Sequence, residues 1–327
     1  MPENNYYPLV TIVCLCYNHE LFVAESLRSV LAQTYQPIQI IVIDDASTDN
    51  SVAVIRQTIA EVADITCIFL EKNVGNCKAF NKGLALAKGE FIIDFATDDV
   101  MHMERVAKQV AHFQVLDSRY GVSFTDAFLI DSKGKKIKTY YKRSADGTLL
   151  QNIPQGNVYL QQLKRAFICT PTMMVRTKIL IELGGYDETL SYEDYDFWIR
   201  SSRICQYAYL DELLTYKRIL FSSHGRKFYV KKVNEKHLES TLLISKKALQ
   251  NFSSAAEYDA LAVSVRYHYR LSFYTENFIF AHQFYDLLRQ ITKPSLTDKF
   301  IYLLSKIKIR VFGAYKIFQQ IRAFYKR

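Results

Sequence analysis

The 327-residue chain holds one tryptophan, six prolines and eleven glycines, with no low-complexity tract and no internal repeat, so solenoids, collagen-like chains and disordered linkers are excluded. No stretch approaches the roughly 18 consecutive apolar residues that a membrane-spanning helix needs. The opening MPENNYYPLVTIV has neither a basic n-region nor a small-residue cleavage site, so no signal peptide is expected. Its six cysteines (Cys14, Cys16, Cys67, Cys77, Cys169 and Cys205) show no CxxC spacing and no Cys/His cluster of metal-ligand spacing. That scatter excludes a zinc module and predicts reduced core thiols in a cytosolic protein. No Gly-rich basic loop follows the first strand-like run, where Cys16-Tyr17-Asn18-His19-Glu20 stands instead. A nucleotidyltransferase would normally carry such a loop.

Charge is plentiful but uneven. Lys and Arg number 42 against 33 Asp and Glu, a net +9. Residues 1–220 contribute −3 and residues 221–327 contribute +12. A uniformly basic nucleic-acid binder is therefore not expected, and no RNA- or DNA-binding motif accompanies the basic third.

Short apolar runs alternate with amphipathic stretches over the first hundred residues. Residues 10–17, 38–44, 65–70 and 89–95 read as buried strands. Helices are predicted at 20–32, from a cap at Ser47–Asn50 to about 60, and at 78–87. This order implies right-handed βαβ units and an α/β, doubly wound, mostly parallel sheet. A helix at 101–116, a hairpin about 131–135 and two short strands ending near 220 complete a first domain, 1–220. Residues 221–327 read as a basic, aromatic-rich helical region. Ligands of such sheets bind outside the strands' carboxyl ends, which directs attention to Tyr17, Asp44-Asp45, Asn73–Gly75 and Thr97–Asp99. Adjacent carboxylates there suit Mg²⁺ or Mn²⁺ held against phosphate oxygens; capping of the helices that follow is the alternative.

Five ordered stretches then carry a resemblance: PLVTIVCLCYNHELFVAESLRSVLAQTY, IQIIVIDDASTDNS, NVGNCKAFNKGLALAKGEFI, ATDD, and GGYDE followed by YEDYDFWIR. Together, over about residues 8–220, they resemble the family 2 glycosyltransferases of GT-A fold. The resemblance implies an inverting, metal-dependent transfer of sugar from a nucleotide-sugar, most often a UDP-sugar, in bacterial surface polysaccharide or lipid-linked glycan assembly. It implies that Tyr17 flanks the base and Asp45 hydrogen-bonds it. Asn73, Gly75 and Asn81 line the nucleotide site, with Gly83 in the same segment. Phe80 stands where many members carry Arg; Lys78 could approach the diphosphate instead, or be a solvated helix lysine. The first Asp of the DxD motif is replaced by Ala96 or Thr97, depending on register, leaving Thr97-Asp98-Asp99, with Asp99 the expected metal ligand and Asp98 the ribose or sugar contact, the exchange of roles left open. Asp194 of the Glu193-Asp194 pair is the expected catalytic base, because the acceptor hydroxyl must lose its proton as it attacks; Asp196 competes for that role. His224 is expected to close over the diphosphate and counts as a second candidate metal ligand. An exposed loop position is the alternative for His224, and Arg218, Arg226 and Lys227 share that ambiguity. Trp198 and Arg200 read as packing and ion-pair residues. Thr170 and Pro171 would floor the acceptor site.

Residues 298–327 hold eight basic residues and one acid. At 100° per residue, Phe300, Leu304, Ile307, Val311, Ala314, Phe318, Ile321 and Tyr325 share one helix face, a pattern of interfacial helices on anionic lipid. The alternative is packing on the catalytic domain or on another subunit, including a homo-oligomer. The sequence reading is thus a cytoplasmic enzyme at the inner face of the cell membrane. Its partners are a nucleotide-sugar donor and a glycan or lipid-linked acceptor. The rivals are a degenerate sugar-nucleotide-binding subunit and a nucleotidyltransferase.

Overall fold

The computed structural model describes residues 7–220, 229 and 235–324. They form two compact units. The first comprises residues up to Val158, Phe167–Glu188 and Asp196–Leu220; the second comprises Tyr159–Ala166, Thr189–Tyr195 and the chain from Phe221 onward.

The first unit is built on one nine-stranded sheet. β1 (Val10–Cys16), β2 (Ile38–Asp44), β3 (Ile65–Phe69) and β4 (Phe91–Ala96) lie in the order β3-β2-β1-β4, all parallel. The helices between them are α1 (Val23–Leu31), α2 (Ser51–Thr58) and α3 (Asn76–Leu84). Strands rich in Val and Ile sit buried between helical layers, as parallel sheets require; Val10, Ile12, Val42, Ile93 and Phe95 form the core with Val23, Leu27 and Val30 of α1. At Gly83 a methyl group would meet Val13 Cγ1 at 2.6 Å, so this glycine lets α3 lie close against β1. Its role is packing.

Beyond β4 the sheet becomes mixed. A two-residue strand β5 (Val100–Met101) precedes α4 (Arg105–Val115). β6 (Tyr120–Ile130) runs antiparallel to β7 (Lys136–Thr139) across the expected hairpin and parallel to β9 (Gln206–Arg218). β8 (Met174–Arg176) joins β4 to β6, antiparallel to both. The two short strands expected before residue 220 are the single strand β9, because register shifts beside Asp126 absorb the polar Asp211-Glu212 step without ending the ladder. Within the expected Ser47–Asn50 cap, Asp49 accepts the Ser51 amide at 2.9 Å at the start of α2, whereas Asn50 makes no side-chain cap bond. The side chains of this stretch also tie two loops together. The six cysteines are free thiols, five of them buried, and burial pushes the Cys16 thiol up to about 11, so it is inert at neutral pH.

The second unit is helical: α5 (Tyr159–Lys164), the start of α7 (Asp194–Ser201), then α8 (Glu235–Leu249), α9 (Ala255–Tyr274), α10 (Phe278–Ile291), α11 (Leu296–Lys306) and α12 (Phe312–Phe324). α6 (Thr177–Glu182) belongs to the first unit. A capping box between Ser254 and Glu257 starts α9. Asp298, fully buried, receives Arg266 at 2.9 Å and Arg270 at 2.8 Å and so fastens α11 to α9. Residues 298–324 are not one helix. Lys308 adopts φ 54°, and the Ile309 and Lys308 amides return to the Leu304 and Ser305 carbonyls, a Schellman end that satisfies the last carbonyls of α11. No described helix is long and apolar enough to cross a membrane.

Candidate functional site

Parallel register brings three strand ends to one edge of the first unit. Cys16 pairs with Asp44, and Leu15 pairs with Ala96. Tyr17, Asp45 and Thr97–Asp99 therefore leave the sheet side by side, although they are up to 82 residues apart in sequence. Tyr17 is well exposed, as a ring that stacks on a base must be.

The loops at this edge are laced together by short polar side chains. Ser47 donates to Asp44 at 2.5 Å and accepts the Asn18 amide at 2.8 Å, while Asn18 accepts the Thr48 amide at 2.8 Å. The His19 and Glu20 amides bond to Ser51 and Asp49. Asp45 grips the third loop: its two carboxylate oxygens accept the Val74 and Gly75 amides at 2.7 and 2.9 Å, and Asn73 donates to the Asp45 carbonyl. Gly75 has φ 86°, a conformation that disfavours side chains. Burial raises the Asp45 pKa, the two amides oppose the rise and Asp44 adds to it. Each Asp45 oxygen keeps a second lone pair with which to accept from a ligand N–H.

Thr97, where the first Asp of a DxD motif would stand, is fully buried. Its hydroxyl donates to the Leu15 carbonyl at 3.0 Å and meets His19 Nδ1 at 2.9 Å. A hydroxyl has one proton to give, so Nδ1 is the donor in this pair. Sequence reading missed His19. Its only signal was its place one residue after Asn18 on a strand-end loop.

Asp98 is half-buried and Asp99 is 4% exposed. The Arg218 backbone amide donates to Asp99 Oδ1 at 2.7 Å. Burial first, then the charge of Asp98, lifts the Asp99 pKa well above the usual carboxylate range; Lys217 and Arg218 oppose it. A divalent ion beside this acid pair would favour its charged form further. Among the described residues no group of three or more His, Cys, Asp or Glu could cage a metal. The Asp98-Asp99 pair can offer an ion one or two carboxylates, which would leave phosphate oxygens and water to complete its shell. His224, the other expected ligand, lies outside the described residues, as do Arg226 and Lys227.

Arg218 is buried, and its guanidinium bonds the Asp98 carbonyl at 2.8 Å, the Asp131 carbonyl at 3.0 Å and Glu25 at 2.6 Å. It holds the acid pair between β9, the hairpin turn and α1.

α3 presents less to a diphosphate than its motif suggested. The Asn81 amide group donates to the Tyr186 carbonyl at 2.8 Å and accepts the Tyr186 amide at 2.9 Å. Phe80 is fully buried and stacks on Tyr186 with ring centroids 4.4 Å apart. Lys78 lies 3.6 Å from Glu188, both half-exposed.

Asp194 is the first residue of α7, and its carboxylate accepts the Tyr195 amide at 2.7 Å. The preceding segment is fixed within the second unit: Ser191 bonds Ser240, Tyr192 bonds Thr241 at 2.5 Å, and Tyr195 bonds Ser264 and the Leu163 carbonyl. Asp196 is buried in an ion pair with Arg200 at 2.7 Å, and Arg200 also caps the Leu183 and Gly185 carbonyls. Trp198 is buried and bonds the Met173 sulfur. Pro171 is buried in a 3₁₀ turn with Thr170.

The chain is similar to a protein of Rickettsia felis named as an uncharacterised glycosyltransferase, 31% identical over 227 residues that cover 69% of this chain and 36% of that protein. In three dimensions it resembles residues 1–349 of S. aureus TarS, crystallised with UDP, at a TM-score of 0.67 and 19% identity, over 94% of this chain and 91% of that one. It also resembles the mannosyltransferase PcManGT of Pyrobaculum calidifontis, in complex with GDP-Man and Mn²⁺, at a TM-score of 0.59 and 14% identity, over 99% and 86% of the two chains. These likenesses identify the first unit's sheet and its helical companion as a GT-A glycosyltransferase fold. The family model for glycosyl transferase family 2 matches residues 11–184, more than half of the sequence, and the chain belongs to that family.

Proposed function

We propose that this chain is an inverting, metal-dependent glycosyltransferase that uses a nucleotide-sugar, a UDP-sugar in the first instance. The observation that carries this reading is the meeting of Tyr17, Asp45 and Asp98-Asp99 at one sheet edge. Tyr17 flanks the base and Asp45 accepts from it. Asp98 contacts ribose or sugar. Asp99 would hold Mn²⁺ or Mg²⁺, and the ion would offset negative charge on the diphosphate. The UDP of the TarS crystal and the GDP-Man and Mn²⁺ of PcManGT are in keeping with such a donor and metal.

In the transfer, the Asp194 carboxylate takes the proton of the acceptor hydroxyl. The hydroxyl oxygen bonds the anomeric carbon from the face opposite the nucleotide. The bond from that carbon to the diphosphate oxygen breaks, and its electron pair leaves with the nucleoside diphosphate. The acceptor is a glycan or lipid-linked glycan of a bacterial surface polysaccharide, and the enzyme acts on the cytoplasmic side of the cell membrane.

The test is a screen of nucleotide-sugars with and without Mn²⁺, read first as thermal shift and then as nucleoside diphosphate release. A shift for UDP and UDP-sugars that needs Mn²⁺, with release abolished in Asp194→Asn, supports the reading. A shift for nucleoside triphosphates with pyrophosphate release overturns it in favour of nucleotidyl transfer. A second reading, a sugar-nucleotide module without turnover, draws on α3, where the Asn81 amide is taken up by Tyr186 and Phe80 replaces a cation. It predicts UDP binding with no release over any range of acceptors.

A further inference from the structure

The last two helices turn their apolar sides outward. On α11 the inward face is Asp298, Ile301 and Ser305. Leu296, Phe300, Leu303 and Ile307 lie on the opposite face, within about 60° of one another at 100° per residue, and each is at least 60% exposed. On α12 the half-buried side is Phe312, Tyr315 and Gln319, with Tyr315 stacked on Tyr274, whereas Ile317, Phe318 and Ile321 are 50–59% exposed. Ile309, 42% exposed, lies in the link between them. An amphipathic helix of a globular protein normally does the reverse and buries its apolar stripe.

Charge decides what would cover these faces. Lys299, Lys306, Lys308, Arg310 and Lys316 are all exposed. The one acid between Leu296 and Ile321 is Asp298, which is buried and paired to two arginines. Lys299 and Lys306 flank the α11 stripe at about 60–80° from Leu296 on the helical wheel. A second copy of the same face would set Lys299, Lys306, Lys308 and Arg310 against their own copies with no acid to answer them, which like-charge repulsion opposes; Lys316 lies over the Phe312 ring on the other side of α12. An anionic lipid surface answers both features, since acyl chains accept the apolar stripe and headgroup charge accepts the lysines.

We propose that α11 and α12 are a membrane-binding element that docks this chain peripherally on anionic phospholipid. The surface consists of two short faces joined by the Lys308 turn. Its lipid contact stands apart from the transfer reaction and is tested without it.

The full chain is sedimented with vesicles of phosphatidylcholine and with vesicles of phosphatidylcholine mixed with phosphatidylglycerol. Binding to the anionic vesicles that weakens as salt rises is expected, together with little binding to phosphatidylcholine alone. The combined Phe300→Ser, Leu303→Ser, Ile317→Ser and Phe318→Ser variant changes exposed residues only. It is expected to keep its circular dichroism and lose at least about tenfold in partitioning. Each of Lys299→Gln and Lys306→Gln is expected to lose about fivefold. Equal binding to both vesicle types, no binding to either, or an unchanged serine variant overturns the proposal. So does a lipid-free dimer in analytical ultracentrifugation that the serine variant dissociates, which would assign the face to a second copy.

Discussion

Arg218 gives its backbone amide to the Asp99 carboxylate at 2.7 Å and its guanidinium Nε to the Asp98 carbonyl at 2.8 Å. One residue at the end of β9 thus sets the position of both acids of the altered DxD motif. The rest of its guanidinium reaches Glu25 and the turn at Asp131, and its carbon lies 4.7 Å over the Phe22 ring. Replacing it by methionine removes the charge-assisted bonds and leaves buried carbonyls unmet, so Arg218→Met is expected to lose about 2–4 kcal/mol of stability in urea unfolding. Metal and nucleotide affinity, read by titration calorimetry, should fall with it. Arg218→Lys should recover only part, because an ammonium cannot span these partners.

Asp99→Asn separates stability from function. The asparagine keeps an oxygen for the Arg218 amide, and it removes an acid whose pKa burial and Asp98 hold high. An acid raised in the folded state destabilises the fold above its ordinary pKa, because ionising it is harder folded than unfolded. The melting temperature at pH 7 should therefore hold or rise, while nucleoside diphosphate release falls by at least about a hundredfold. Release at the wild-type rate would remove Asp99 from the metal role.

Phe80 tests the family departure. Restoring the arginine that many relatives carry buries a guanidinium in the place of a ring stacked on Tyr186. Phe80→Arg is expected to lose at least about 3 kcal/mol in chemical denaturation and to gain no donor affinity. Asn81→Ala, which strips both bonds to Tyr186, should lose about 1–3 kcal/mol.

Asp298 governs acid stability of the helical unit. Burial raises its pKa, but bonds from Arg270, Arg266 and Ser295 outweigh burial and hold it at about 2. A depressed carboxylate adds stability above its unfolded pKa and loses it as pH falls through the folded value. The two arginines are partly exposed, so the contribution is on the order of 1–2 kcal/mol after screening. It should be present at pH 5 and lost between about pH 4 and 2. In acid unfolding followed by far-ultraviolet circular dichroism, Asp298→Asn should show a shallower dependence on pH over that window.

Much of the first unit is written in short-range pattern. The apolar runs at 10–17, 38–44, 65–70 and 89–95 became β1 to β4 within a residue or two at most ends, and acids and asparagines after those runs became the strand-end loops. Alternation and helix periodicity are local, so a window of ten residues carries them. In sequence the polar Asp211-Glu212 step separates two apolar runs, whereas pairing with β6 carries β9 through it. The break between α11 and α12 was invisible for a related reason: Lys308, with no glycine or proline signal, takes the left-handed position.

By itself the sequence determined the class of the fold, the family resemblance and the placing of Tyr17, Asp45 and Asp98-Asp99 at strand ends. Tertiary structure alone decided what those residues and their neighbours are bonded to. Arg218 meets Asp98 and Asp99 across about 120 residues, Asn81 meets Tyr186 across 105, and Asp45 closes on Val74 and Gly75 across some 30. It also decided which side of each C-terminal helix faces water. Hydrophobic period says that a helix has two faces; only its packing against other elements decides which one is covered.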